Sequence, residues 1–118
     1  NQPVSTTAAA DVPAVEPSVE IGKMVFRRCV ACHTIEAGGA NGIGPNLHNV
    51  VNRPVGSLAG FSYSAAMRAK GGVWDEATLD QYLEQPMKAL PGTRMAFAGI
   101  IDAADRKSLI LYLQSGGQ

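Results

Sequence analysis

Cys29-Val30-Ala31-Cys32-His33 sets two thiols one helical turn apart and puts an imidazole directly after the second. The chain has no other cysteine. A local disulfide, two unrelated buried thiols or half of a zinc site would each use such a pair. A structural zinc wants four ligands, and no second cysteine pair exists to complete the set. A thioredoxin-like redox site wants a strand before it and alternating strands and helices around it, and neither pattern is visible. Cys-x-x-Cys-His is also the attachment sequence for haem c. Each thiol adds across one haem vinyl group to form a thioether. The spacing lets one turn reach both vinyls, and His33 then lies under the iron.

Iron held in this way needs a sixth ligand or an open position. His48, Met24, Met67, Met87 and Met95 are the candidates. Most methionines simply fill cores, and a lone histidine is more often a surface or satisfied core residue than a ligand. Met24 shares the attachment helix and cannot easily cross the ring. Met67 sits in an alanine-rich helical stretch, and Met87 follows Pro86 beside Lys88 in an exposed setting. Met95 belongs to Leu90-Pro91-Gly92-Thr93-Arg94-Met95-Ala96-Phe97-Ala98-Gly99, a loop free to lay a thioether onto iron. It follows His33 by 62 residues, enough chain to go round a haem. Spacing alone puts Met95 ahead of His48 without closing the choice.

The elements that must position these groups are short helices. Ser18 can cap a helix running to about Cys32, with Ile21, Val25, Phe26, Cys29 and Val30 on one side. Residues 38–60 contain six glycines and two prolines and read as loop. A short helix is expected over Ser64–Lys70, stopped by Gly71-Gly72. Asp75 can cap another, with Leu79, Tyr82 and Leu83 inward, which must end near Gln85 because Pro86 follows. Residues 86–101 read as an extended loop. Asp102 opens the last helix, with Asp105 as a capping-box-like partner. Leu109, Ile110, Tyr112 and Leu113 are its apolar set, and Gly116 ends it. The fold class is all-α. Loops this long are uncommon in a compact domain unless they serve a function, and a cofactor to pack against would explain them.

With 118 residues, 6% of them aromatic, the chain fits one small domain that needs more than aliphatic side chains to fill its core. No apolar run is long enough to span a membrane. The chain begins at Asn1 without a methionine, as a processed or truncated product would. Residues 1–20 carry three acidic residues, Asp11, Glu16 and Glu20, and no Lys or Arg. The remainder holds ten basic against seven acidic residues, a surplus of three, far short of a nucleic-acid binder. Residues 1–17 are rich in Pro, Ala, Ser and Thr and read as an extended or disordered tail, with the haem domain over 18–118. The tail is either a remnant of processing or a tether to a membrane anchor upstream of residue 1.

Taken together, the chain resembles the mitochondrial and alphaproteobacterial type of class I cytochrome c. The resemblance runs from about Ser18 to Ser115. It rests on Cys29-x-x-Cys32-His33-Thr34, Gly44-Pro45-Asn46-Leu47-His48, Arg53, Gly60-Phe61-x-Tyr63, Trp74, Tyr82-Leu83, Pro91-Gly92-Thr93-x-Met95 and Phe97-Ala98-Gly99-Ile100. It implies the small cytochrome c fold around one haem c bound through Cys29 and Cys32, with His33 and Met95 as metal ligands. The Pro45 carbonyl should accept from His33, and Tyr82 should aim its hydroxyl at the Met95 sulfur. Tyr63 and Trp74 should bond one propionate with Arg53 close by, Thr93 should reach the other, and Phe97 should cover the exposed haem edge. Gly22 and Phe26 should meet Leu109 and Tyr112 where the first and last helices cross. His48 should lie near the surface. Met67 stands where mitochondrial forms usually have an asparagine, and Met87 and Gly42 replace usual lysines.

The resemblance further implies a monomeric single-electron carrier, not an enzyme, serving respiratory or photosynthetic complexes. Redox proteins such as a quinol–cytochrome c reductase and a terminal oxidase would be its partners, and nucleic acid would not. A haem peroxidase and a ligand-sensing haem module are the rival functions. The expected location is the periplasm, with the mitochondrial intermembrane space second.

Overall fold

The computed structural model describes residues 15–117. Residues 1–14 of the expected tail lie outside the described residues, and Val15–Ser18 have no regular structure. Five helices follow: α1 (Val19–Phe26), α2 (Ala65–Lys70), α3 (Glu76–Glu84), α4 (Pro86–Ala89) and α5 (Ala103–Gln114). Among the described residues the only extended pairing is an isolated bridge between Pro54 and Val73. The all-α expectation holds.

The capping residues act as their types dictate. Ser18, Ser64, Asp75 and Asp102 are the N-caps of α1, α2, α3 and α5, and each side chain accepts a backbone N–H of the first turn. Gly71 closes α2 at φ 71°, a conformation that costs glycine little.

Two boundaries differ from expectation. Helix α1 stops at Phe26 rather than near Cys32. Its exit tightens: the amides of Arg27, Arg28 and Cys29 bond carbonyls three residues back, those of Met24, Val25 and Phe26. Residues 86–101 are not wholly extended either. Pro86 starts α4, because its ring presets a helical φ and its missing N–H is one that a first turn leaves unpaired anyway.

The core joins α1, α3 and α5. Leu109, Ile110 and Ile100 are 1% exposed, and Val25, Phe26, Leu79, Tyr82, Leu83, Tyr112 and Leu113 are buried with them. The expected crossing of the first and last helices is present. Phe26 and Tyr112 have ring centroids 5.4 Å apart. A Cβ on Gly22 would fall 2.0 Å from the Ser108 carbonyl oxygen, so only a glycine allows this approach. Cys29, Leu47, Met67, Leu90, Met95 and Phe97 are among the partly buried residues that pack against this core. Residues from separate stretches of chain are thus packed against the same core.

Candidate functional site

The tight exit of α1 leads directly into the thiol pair. The Cys29 carbonyl accepts from the amides of both Cys32 (3.1 Å) and His33 (2.9 Å), which folds residues 29–33 into a compact turn. Both cysteines are free and half-buried. Burial pushes the Cys29 thiol up to about 11, with Arg28 pulling the other way. His33 Nδ1–H donates to the Pro45 carbonyl at 2.7 Å, as expected. That bond fixes the tautomer and leaves Nε2 with its lone pair. Burial lowers the His33 pKa, the Pro45 bond opposes this, and Arg53 adds to the lowering, a direction that favours the uncharged ring a metal needs.

Gly44 belongs to this arrangement. A Cβ there would lie 2.3 Å from His33 Cε1, inside the ring's own van der Waals shell. Asn46, buried at 8%, is the hub of the same loop. Its Nδ2 donates to Thr34 Oγ1 and the Glu36 carbonyl, while its Oδ1 accepts from the His48 amide. Arg53 closes the loop by donating to the carbonyls of Asn46 (3.0 Å) and His48 (3.3 Å). Burial lowers the Arg53 pKa. His48 is half-buried, and its Nδ1 faces the Ile35 carbonyl at 3.1 Å. Sequence alone assigns Asn46 and Gly44 no role, because their contacts cross turns of 5 to 12 residues that no periodicity encodes.

From this loop, packing continues to Met95. Trp74, 7% exposed, donates its backbone amide to the Arg53 carbonyl and packs its ring 5.1 Å from that of Tyr82. The Tyr82 hydroxyl pairs with Thr93 Oγ1 at 2.7 Å, and Thr93 Oγ1 also accepts from the Met95 amide. The Tyr82 hydroxyl, expected to aim at the Met95 sulfur, is engaged with Thr93, two residues before Met95, and either oxygen of that pair can be the donor. Tyr63 accepts the Leu58 amide at its hydroxyl (3.0 Å), which leaves its own proton available. Phe97 is half-buried, and its amide bonds the Met95 carbonyl. It lines an open cleft of about 270 Å³ with Gln85, Met87, Lys88 and Ala98.

These residues fit a flat, apolar, iron-bearing group. The donor set offers two thiols in one turn, an imidazole oriented by a carbonyl, and the Met95 thioether, with Cys29 and Met95 both packed against the apolar core. The fold and this donor set define a small helical protein that binds haem covalently.

Comparison with known proteins agrees. Residues 19–117 match the Cytochrome c family. The cytochrome c of Kluyveromyces lactis is 44% identical over 86% of this chain and 93% of its own length. The cytochrome c2 of Rhodoblastus acidophilus is 46% identical over 80% of this chain and 88% of its own length. Cytochrome cH from Methylobacterium extorquens has a similar structure, with a TM-score of 0.78 and 38% identity over 83% of this chain and 98% of that one. This chain therefore belongs to the cytochrome c family. It carries one haem c, joined through Cys29 and Cys32, and serves as an electron carrier among redox proteins rather than as an enzyme. No helix among the described residues is long and apolar enough to cross a membrane.

Proposed function

We propose that His33 and Met95 hold the iron from its two faces, and that the protein passes single electrons from a quinol–cytochrome c reductase to a terminal oxidase in the periplasm. The observation that supports the ligand assignment is the 2.7 Å bond from His33 Nδ1 to Pro45, which leaves the lone pair of the other ring nitrogen free for a metal. Met95 is supported by being itself half-buried against the core, in a loop anchored through Thr93 to Tyr82.

Haem c supplies an iron centre that gains and loses one electron. The protein's part is to set its potential and to keep its shell unchanged. His33, made more basic by Pro45, stabilises the oxidised state. The Met95 thioether favours the reduced state and raises the potential. Were His33 and Met95 both to hold the iron, the chain would leave no open position for oxygen or peroxide, which disfavours the enzymatic and sensing alternatives. Arg53, Tyr63 and Trp74 are assigned to one propionate and Thr93 to the other. The free proton on Tyr63 and the half-buried guanidinium of Arg53 support that assignment. Phe97 and its cleft form the edge at which partners dock, briefly and over a small area.

Met95→Ala tests the assignment. The oxidised protein should change from low to high spin, and its potential should fall. An unchanged spectrum would refute the ligation. The periplasmic reading draws support from bacterial relatives such as the c2 and cH proteins, and residues 1–17 suit a tether. Fractionation of cells expressing the whole gene tests both: the haem-stained product should leave with the periplasm or, if tethered, with membranes. Recovery in the cytosol would overturn the location.

A further inference from the structure

The segment carrying Met95 is anchored at both ends, by different chemistry. Upstream, Thr93 bonds Tyr82, and Arg94 Nη2 donates to the Ser62 carbonyl at 2.8 Å. Downstream, the Ile100 amide donates to the Leu83 carbonyl at 2.9 Å. Gly99, at φ +110°, lies so close to α3 that a Cβ would meet the Glu84 carbonyl oxygen at 2.0 Å.

Beneath this downstream end sits Arg106. Its side chain is 8% exposed, on α5. Nη1 donates to the carbonyls of both Ile100 and Ile101 at 2.8 Å, and Nε donates to Asp80 Oδ1 on α3 at 2.8 Å. One planar guanidinium therefore ties α3, α5 and the end of the Met95 loop. A buried cation is costly unless all its donors are satisfied. Here two of the three bonds go to the loop rather than between the helices. A second ion pair, Lys107 to Glu76, joins α3 and α5 nearby and touches no part of the loop. The two pairs separate holding the helices together from holding the loop.

We propose that Arg106, seated by Asp80, is a positioning residue for Met95, fixing the downstream end of its loop so that the sulfur stays on iron against competing ligands. This rests on the assignment of Met95 as ligand. To release the sulfur, the 94–101 segment must lift. With Arg106 in place, lifting exposes or strips a buried guanidinium and two carbonyls. Without it, local opening becomes cheaper, and an external ligand that waits on opening gains by the same factor.

The test is an optical titration of the haem-loaded ferric protein with imidazole, which must displace the Met95 sulfur to bind. Arg106→Lys keeps the charge and loses the fork. It should bind imidazole about tenfold more tightly, the effect of losing about one charge-assisted hydrogen bond. Asp80→Ala should give a smaller gain, about threefold, because Arg106 keeps its carbonyl partners. Lys107→Ala should match wild type. In a Met95→Ala background, which itself should bind imidazole far more tightly than wild type, Arg106→Lys should add nothing. Wild-type affinity in both Arg106→Lys and Asp80→Ala, or an equal gain in Lys107→Ala, would overturn the clamp while leaving the ligand assignment intact. Wild-type affinity in Met95→Ala would instead overturn the ligand assignment and the clamp with it. If Arg106→Lys does not fold, Asp80→Ala against Lys107→Ala decides the question.

Discussion

A methyl group at Gly44 would sit 2.3 Å from His33 Cε1 and 2.7 Å from Nδ1. Either the ring or the Gly44-Pro45 backbone must then move, and the backbone carries the carbonyl that orients the ring. Gly44→Ala should cost about 1–3 kcal/mol of stability, the usual range for overpacking a tight site. It should also weaken the proposed hold of His33 on iron, seen as a fall in the yield of haem-loaded low-spin protein. Wild-type stability and spectrum together would contradict the close packing. Tyr82 offers a second test. Burial raises its pKa above the ordinary tyrosine value near 10.0, against the opposing bond to Thr93. The folded protein therefore keeps a proton that the unfolded chain gives up. Its contribution is constant below the ordinary value, and stability falls as pH climbs from there through the folded value. Tyr82→Phe should flatten that part of the alkaline loss, measured by denaturant unfolding between about pH 9 and pH 11.

At the scale of elements, the crossing of α1 and α5 sets where the thiols emerge. Ser18 caps α1 through its hydroxyl to the Ile21 amide (3.1 Å), and its own amide donates to Ser108 Oγ on α5 (3.1 Å). The same serine starts one helix and ties it to the other. Ser18→Ala should cost about 1 kcal/mol by loss of the cap, read as a lower urea midpoint with an unchanged slope. Gly22→Ala acts at the contact itself, where added atoms meet the Ser108 backbone. It should cost more than the cap. A smaller loss for Gly22→Ala than for Ser18→Ala would show that the helices separate easily.

For the whole molecule, charge is modest and unevenly placed. The formal net charge is +0 over all 118 residues. Arg27, Arg28, Lys88 and Arg94 are exposed, but Met87, 57% exposed, lies beside Lys88 at the Phe97 cleft. Steering of anionic partners should be correspondingly weak. Reduction by ferrocyanide should slow by no more than about threefold between roughly 10 mM and 200 mM salt. A tenfold or steeper fall would show a stronger positive field than these residues supply. An apolar side chain at the cleft rim also places more of the docking energy in burial, which salt does not screen.

The sequence alone determined what depends on neighbours along the chain. The Cys-x-x-Cys-His spacing, the caps at Ser18, Ser64, Asp75 and Asp102, and the stop at Pro86 are all local, and all are legible because one turn of backbone decides them. The Pro45 bond to His33 was reached only through the resemblance. Tertiary structure decided the rest. That Tyr82 meets Thr93, that Asn46 organises the histidine loop and that Arg106 reaches Ile100, Ile101 and Asp80 are outcomes of packing between separate segments. A polar side chain takes the best partner that folding brings within 3 Å or so, and which atoms arrive there is set by the crossing of helices and the path of loops, not by the residues beside it.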